Sequence, residues 1–305
     1  MSSDGFSIAP ARPGRGSPIE RATRLTLRAA FGIAVLALLA TGCSPLVLLN
    51  WANPEPAHDR LEFSYGPGAR QRLDLYRPKD LKTSAPVVIF FYGGGWEGGE
   101  RGNYRFAALA LVEQGFVVAV PDYRVYPEVG FPGFLEDTAE AAAWIHREVA
   151  SHGGDPDRLF LMGHSAGAYN AVMLALDADR AAAAGLPSSA IRGVVGLAGP
   201  YDFLPMTSKT LQAIFAAPDM ARTQPITFAR ADAPPVLLAT GDVDSTVYPR
   251  NTRNLGRRLR DLGAPVETIE YSGLGHAGIV IALAPLFRGT APVLTDVTRF
   301  LKARS

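Results

Sequence analysis

The stretch Leu159-Phe160-Leu161-Met162-Gly163-His164-Ser165-Ala166-Gly167 constrains this chain more than any other. Apolar residues of strand length run into G-x-S-x-G, and the Ala-rich segment Ala168–Leu176 that follows is helical in character. A strand turned sharply into a helix brings backbone so close that glycine is needed two residues before and two after the central serine. The turn leaves the Ser165 hydroxyl exposed above the sheet, where it can act as a nucleophile. Such a unit presupposes a parallel α/β sheet around it.

The rest of the sequence keeps that rhythm. Short apolar runs at Leu73–Tyr76, Val87–Tyr92, Val117–Val120, Leu159–Met162, Val194–Ala198, Val236–Thr240 and Val266–Tyr271 read as strands. Helical segments are expected near Tyr104–Gln114, Gly133–Ser151, Ala166–Asp177, Pro249–Leu262 and Pro292–Lys302, with apolar stripes such as Ala142, Ile145 and Val149 on one side. Strand alternating with helix is the pattern of βαβ units and a mainly parallel sheet, so the fold class is α/β. Pro200–Pro235 breaks the rhythm. It is longer than an ordinary connection and carries Tyr201, Phe203, Leu204, Met206, Leu211, Ile214, Phe215 and Phe228, so it is expected to roof a pocket.

Composition removes several function classes. Lys plus Arg number 30 against 29 Asp plus Glu, and a net charge of +1 offers no footprint for a nucleic-acid backbone. One cysteine and five histidines in 305 residues are too few for a structural zinc site. The chemistry is expected to use ordinary side chains, with no metal and no organic cofactor.

The N-terminal 28 residues are rich in Ser, Gly, Pro and Arg, and the 12-residue apolar run Ala29–Ala40 follows them. That run has the length of a signal-peptide core and falls short of the roughly 20 residues needed to span a bilayer. Thr41-Gly42-Cys43 then resembles the lipobox of bacterial lipoproteins, although Ala40 stands where Leu is usual. The resemblance implies cleavage before Cys43, lipidation of Cys43, and a domain held on the periplasmic side of the cell envelope by a membrane anchor. Plain secretion, an uncleaved anchor and a soluble cytoplasmic protein are the alternatives. On this reading residues 1–42 are the signal peptide, 43–60 a tether around Asn53-Pro54-Glu55-Pro56, and 61–305 the catalytic domain, with 200–235 as its insertion.

A serine hydroxyl is a poor nucleophile unless a histidine takes its proton and a carboxylate orients that histidine. In this architecture the chain order is Ser, acid, His. His58 lies in the tether, His146 and His152 precede the nucleophile, and His164 sits inside the turn, which leaves His276 in the Gly-rich loop Ser272–Gly278 after the strand Val266–Tyr271. The acid is expected in Gly241-Asp242-Val243-Asp244-Ser245-Thr246-Val247, after the preceding strand. Asp244, three residues past Gly241, is favoured; Asp242 stands closer to the strand and suits shaping the turn, and Asp202 is a third candidate.

A tetrahedral intermediate also needs preorganised N–H donors, worth about 3–4 kcal/mol apiece in subtilisin. Phe91-Tyr92-Gly93-Gly94-Gly95-Trp96 resembles an HGGG-type loop, and Gly94, Gly95 and the N–H of Ala166 are the expected oxyanion hole. The same glycines lack the Lys-Ser/Thr ending of a phosphate-binding loop.

Together these residues resemble the α/β-hydrolases of the esterase/lipase branch, which includes hormone-sensitive-lipase-like carboxylesterases, acetylesterases and kynurenine formamidase. The likeness spans about residues 70–303 and includes Asp122-Tyr123-Arg124-Val125-Tyr126-Pro127-Glu128, similar to that branch's D-Y-R-x-x-P-E segment. It implies an α/β-hydrolase fold, a mainly parallel central sheet flanked by helices on both faces. It further implies a serine hydrolase acting on a small-molecule ester of small or medium acyl or alcohol groups through an acyl-enzyme. Asp122, Arg124 and Glu128 are expected to support the oxyanion loop and the sheet edge. Tyr92 departs from the branch, which usually has His at this loop-bracing position, and Gly94-Gly95-Trp96 leans toward the formamidase-like form. An amide hydrolase or an acyltransferase would use the same triad, and a catalytically silent binding protein would keep the fold alone.

Overall fold

The computed structural model describes residues 49, 50 and 53–305. The apolar run Ala29–Ala40 and Cys43, with the signal peptide and lipidation expected of them, lie outside the described residues. Among the described residues eight strands form one sheet: β1 (His58–Ser64), β2 (Arg72–Pro78), β3 (Ala85–Phe91), β4 (Val117–Pro121), β5 (Gly154–His164), β6 (Ile191–Leu197), β7 (Val236–Gly241) and β8 (Val266–Tyr271). Their order is β1-β2-β4-β3-β5-β6-β7-β8. β1 pairs antiparallel with β2 and β2 with β4, whereas every pairing from β4 through β3 to β8 is parallel.

Sequence pattern and burial agree at the centre of the sheet. Val87, Ile89 and Phe91 of β3, Leu159 and Leu161 of β5, and Val236 and Leu238 of β7 share one core with residues of the helices α2 (Gly133–Glu148), α3 (Ala166–Leu176) and α6 (Arg250–Asp261). The alternate residues Val88, Phe90, Phe160, Met162, Leu237 and Ala239 are fully buried as well. Both sets being buried requires cover on both faces, which explains why these strands read as continuous apolar runs. The second face is covered by α1 (Arg105–Val112), packed on β2 and β4, and by α8 (Val293–Lys302), whose Phe300 ring lies where a Gly193 side chain would project.

Two parts differ from the sequence expectation. Residues 58–60, expected in the tether, belong to β1, whose register runs His58↔Pro78 to Ser64↔Arg72. This is an edge strand with alternating half-buried and exposed positions, and its sequence HDRLEFS carries too few apolar residues to announce itself. Cross-strand pairing and the ion pairs Arg77–Asp59, Arg72–Glu62 and Arg60–Asp74 hold it. Pro200–Pro235 also does two things at once. Its short helix α5 (Lys209–Ile214) is followed by Phe215, which is fully buried in an aromatic cluster with Trp96, Phe134, Tyr169 and Phe203. That part is core; Pro200, Phe203 and Leu211 face a cavity instead.

Two further short helices, α4 (Ala178–Ala183) and α7 (His276–Ile281), complete the α-helical set named here. The parallel arrangement brings the loops after β3, β5, β7 and β8 to the carboxyl edge of the sheet, the customary place for a ligand in open α/β folds.

Candidate active site

Ser165 sits between the last residue of β5 and the first of α3, with φ 57° and ψ −123°. This left-handed conformation is costly for a side-chain-bearing residue, and it persists because its surroundings permit nothing else. A Cβ on Gly163 would fall on the Gly167 carbonyl, and one on Gly167 would fall on the Phe91 carbonyl of β3. The Ser165 N–H donates to Leu197 O of β6 at 2.9 Å. The strained turn is thus clamped between two neighbouring strands.

Three expected residues meet at this edge. His276 Nε2 lies 2.8 Å from Ser165 Oγ, and His276 Nδ1 lies 2.8 Å from Asp244 Oδ2. Asp244 is only 2% exposed, and its second oxygen, Oδ1, accepts from the backbone N–H groups of Thr246 and Val247, both at 2.9 Å. The turn that supplies these donors is local, an Asp accepting from the N–H groups two and three residues on. Asp242 is exposed and holds the His276 loop from outside, accepting from Gly273 N at 2.7 Å. Asp202 belongs to a different contact, accepting from Asn254 Nδ2 at 2.7 Å. His276 was expected in a flexible loop; it is the first residue of α7.

A cavity of about 220 Å³ opens beside Ser165. Gly95, Trp96 and Ala166 line it near the serine, with Phe203, Leu211 and Val247 among its apolar residues and Arg250 at the start of α6 as its charged one. Gly95 and Ala166 therefore border the place an oxyanion would occupy. Gly94, with φ 150°, also shapes the loop: its carbonyl accepts from the N–H groups of Glu97 and Gly98, both at 3.1 Å, and closes the turn that presents Gly95.

The loop is braced from behind. Tyr92, fully buried, accepts from Arg70 Nη2 at 2.8 Å, and Arg70 also reaches Gly99 O and Tyr123 O. Tyr123 OH donates to Tyr92 O at 2.7 Å, and the two rings stack with centroids 4.8 Å apart. Tyr92 thus fills the bracing position with a phenol, held far above its ordinary pKa by burial and by the Asp122 charge. Asp122 accepts from Arg101, just past the oxyanion loop, through backbone and guanidinium, while Arg124 grips Asp137 of α2. Glu128 is exposed, and its charge acts on Arg124. Arg70 carried no local sequence signal, because its partners are 22 to 53 residues away. Trp96 is pinned by donating from Nε1 to Asn170 Oδ1 of α3 at 3.0 Å.

Residues 73–259 match the BD-FAE family. The probable isoprenylcysteine alpha-carbonyl methylesterase ICMEL1 of Arabidopsis thaliana is 29% identical over 261 residues, covering 78% of this chain and 55% of that protein. Esterase LipC of Mycobacterium tuberculosis is 33% identical over 238 residues, covering 71% of this chain and 59% of LipC. The chain thus spans under two thirds of the length of either relative. Among solved structures, phosphonate-inhibited esterase B from Lactobacillus rhamnosis shares the fold with a TM-score of 0.74 at 22% identity, over 90% of this chain and 95% of that one. The strand order, the clamped serine turn and these matches converge: the chain belongs to the BD-FAE family, on the esterase/lipase branch of the α/β-hydrolases.

Proposed function

We propose that this protein hydrolyses carboxylic esters of small or medium acyl and alcohol groups through an acyl-enzyme on Ser165. The single observation that carries the reading is the line Ser165 Oγ, His276, Asp244, with 2.8 Å at each join. Its relatives' names as esterases and methylesterases support it.

The steps follow from the geometry. Ser165 Oγ attacks the ester carbonyl carbon while its proton passes to His276 Nε2. Asp244 faces Nδ1, which keeps that nitrogen protonated and leaves Nε2 free to accept; it then stabilises the imidazolium that forms. Negative charge grows on the former carbonyl oxygen, stabilised by the N–H groups of Gly94, Gly95 and Ala166. Collapse of the intermediate expels the alcohol, which takes the proton from His276. Water, deprotonated by His276, attacks the acyl carbon; the acyl–Oγ bond breaks as His276 returns that proton to Ser165 Oγ, and the carboxylic acid leaves. The cavity of about 220 Å³ suits a short chain, and its aromatic and aliphatic wall favours an apolar one.

The apolar run Ala29–Ala40 and Cys43 support a lipid-anchored domain on the periplasmic side of the envelope. Among the described residues no helix is long and apolar enough to cross a membrane. Metabolic labelling with an alkyne fatty acid tests the anchor: label on the wild type that disappears in Cys43→Ser is expected, and equal labelling of both would refute it.

The activity test pairs p-nitrophenyl butyrate hydrolysis with fluorophosphonate labelling in the wild type and in Ser165→Ala. Turnover should fall by about 10⁴ to 10⁶ in the variant, with labelling abolished. A series from acetate to palmitate should peak at short chains; rates rising steadily to palmitate would overturn the chain-length assignment.

A further inference from the structure

His164 ends β5 beside the nucleophile and is 4% exposed, yet ester hydrolysis by the triad gives it no proton to carry. Its two ring nitrogens are both engaged. Nε2 is 3.0 Å from the backbone oxygen of His276, and Nδ1 is 3.2 Å from the hydroxyl of Tyr104. A carbonyl oxygen only accepts, so Nε2 carries the proton and Nδ1 is bare. The Tyr104 hydroxyl must then donate to Nδ1, and the Tyr104 ring stacks on Tyr92 at the start of the oxyanion loop, with centroids 6.0 Å apart. The direction of both bonds follows: Tyr104 O–H to His164, His164 N–H to His276 O.

The two ends of this chain of contacts are the two sides of the site that flank Ser165, the oxyanion loop and the His276 segment. Tyr92, on which Tyr104 stacks, leads directly into Gly93, Gly94 and Gly95 of the oxyanion loop. His276 follows Gly273 (φ 74°) and Gly275, and it starts a helix of only six residues, so its own backbone gives it little rigidity. Asp242 steadies Gly273 from outside, and His164 holds His276 from inside. The rings of His164 and His276 stand 4.9 Å apart. A proton on Nδ1 of His164 would break the bond from Tyr104 and place a cation beside the imidazolium that the reaction must form. Burial opposes that proton, and the neighbouring His276 adds to the effect, holding the His164 ring down to about 3.

We propose that His164 and Tyr104 are positioning residues that tie the oxyanion loop to the backbone of His276, setting the height of the imidazole over Ser165. The assignment rests on the triad reading of Ser165, Asp244 and His276. It concerns the reaction geometry, since a ring that merely filled the core would be replaceable by any apolar side chain of its size.

The test compares His164→Leu, His164→Gln and Tyr104→Phe by kcat, KM, the pH dependence of kcat/KM and thermal melting, on p-nitrophenyl butyrate. His164→Leu should lower kcat by about 10²-fold with KM changed less than about threefold, as expected when reacting groups shift without loss of substrate contacts. Its pH profile should move, because the environment of His276 has changed. His164→Gln restores an N–H donor toward His276 O and should recover most of the loss. Tyr104→Phe, which removes one oxygen from the core, keeps the proposal falsifiable if His164→Leu does not fold; its kcat should drop several-fold at unchanged KM. A folded His164→Leu with wild-type kcat and pH profile would overturn the proposal, and so would a folded His164→Gln no better than His164→Leu, or a folded Tyr104→Phe with wild-type kcat. Failure of the underlying triad reading is separately visible: wild-type protein that takes no fluorophosphonate label would overturn that reading and this proposal with it.

Discussion

Asp242 and Asp244 stand two residues apart in one loop and hold the same histidine segment by different means. Asp244 Oδ2 meets the His276 ring at 2.8 Å, whereas Asp242 Oδ1 accepts from the Gly273 N–H at 2.7 Å. One carboxylate is buried against the imidazole and the other is exposed on the outside of the turn. Asp244→Asn should therefore reduce kcat by about 10⁴-fold, as in triads whose acid becomes an amide and permits the wrong tautomer. Asp242→Asn should stay within about tenfold of the wild type. Equal losses in steady-state turnover of p-nitrophenyl butyrate would mean that the two have been assigned to the wrong tasks.

Gly167 and Gly275 predict opposite responses to one added methyl group. A Cβ at Gly167 collides with the backbone of Phe91, which cannot swing aside, while a Cβ at Gly275 meets open space. Gly167→Ala should cost about 3 kcal/mol or more, or prevent folding. Gly275→Ala, at φ −91°, should leave stability unchanged or raise it by up to about 1 kcal/mol, because alanine restricts the unfolded chain. Urea unfolding of both variants provides the comparison.

Tyr92→Phe removes the phenol that accepts from Arg70 while keeping the ring stacked on Tyr123. The lost bond involves a charged donor in a partly buried place, so destabilisation of about 1–3 kcal/mol is expected. Catalysis should weaken modestly through the loop that carries Gly95. The acid–base limbs of the pH profile should not move, since Tyr92 faces Arg70 and Asp122 and lies off the proton path.

His164 makes a specific contribution to acid sensitivity. Its ring is held down to about 3 in the fold, chiefly by burial and also by His276, against an ordinary value near 6.5 in the unfolded chain. Between these values the unfolded state binds a proton that the native state refuses, so stability is fully present above about pH 6.5 and falls as the pH drops toward 3. The slope for one such proton is about 1.4 kcal/mol per pH unit. The groups facing the ring are Tyr104 and His276, and Tyr104, pushed up to about 12 by burial, stays neutral throughout. The stability difference between wild type and His164→Gln should therefore shift by about 1.4 kcal/mol per unit from pH 6.5 to pH 4.5, measured by urea unfolding. A constant difference would show that the ring takes its proton in the native state.

How much of this was legible beforehand depends on the range over which each feature is set. Strand-length apolar runs, helical stripes and the glycines around Ser165 are dictated by steric limits and burial within a few residues, so seven of the strands and the serine turn could be read directly, and chain order pointed to His276. The choice between Asp242 and Asp244 was narrowed by sequence and decided by geometry, because only folding reveals which carboxylate faces an imidazole 32 residues on. β1 depends on partners in β2, and its polar alternation resembles a linker until those partners are in place. Phe215 reads as a pocket residue by composition, and the tertiary structure makes it core by surrounding it with Trp96, Phe134 and Tyr169. His164 is one letter inside a five-residue motif; its bond to the His276 backbone spans 112 residues, and the one to Tyr104 spans 60. The sequence by itself determined which local shapes and which reactive groups this protein has, through sterics and hydrophobic period. Tertiary structure decided which polar atoms meet, because a buried donor or acceptor must find its partner wherever the sheet order brings one within about 3 Å.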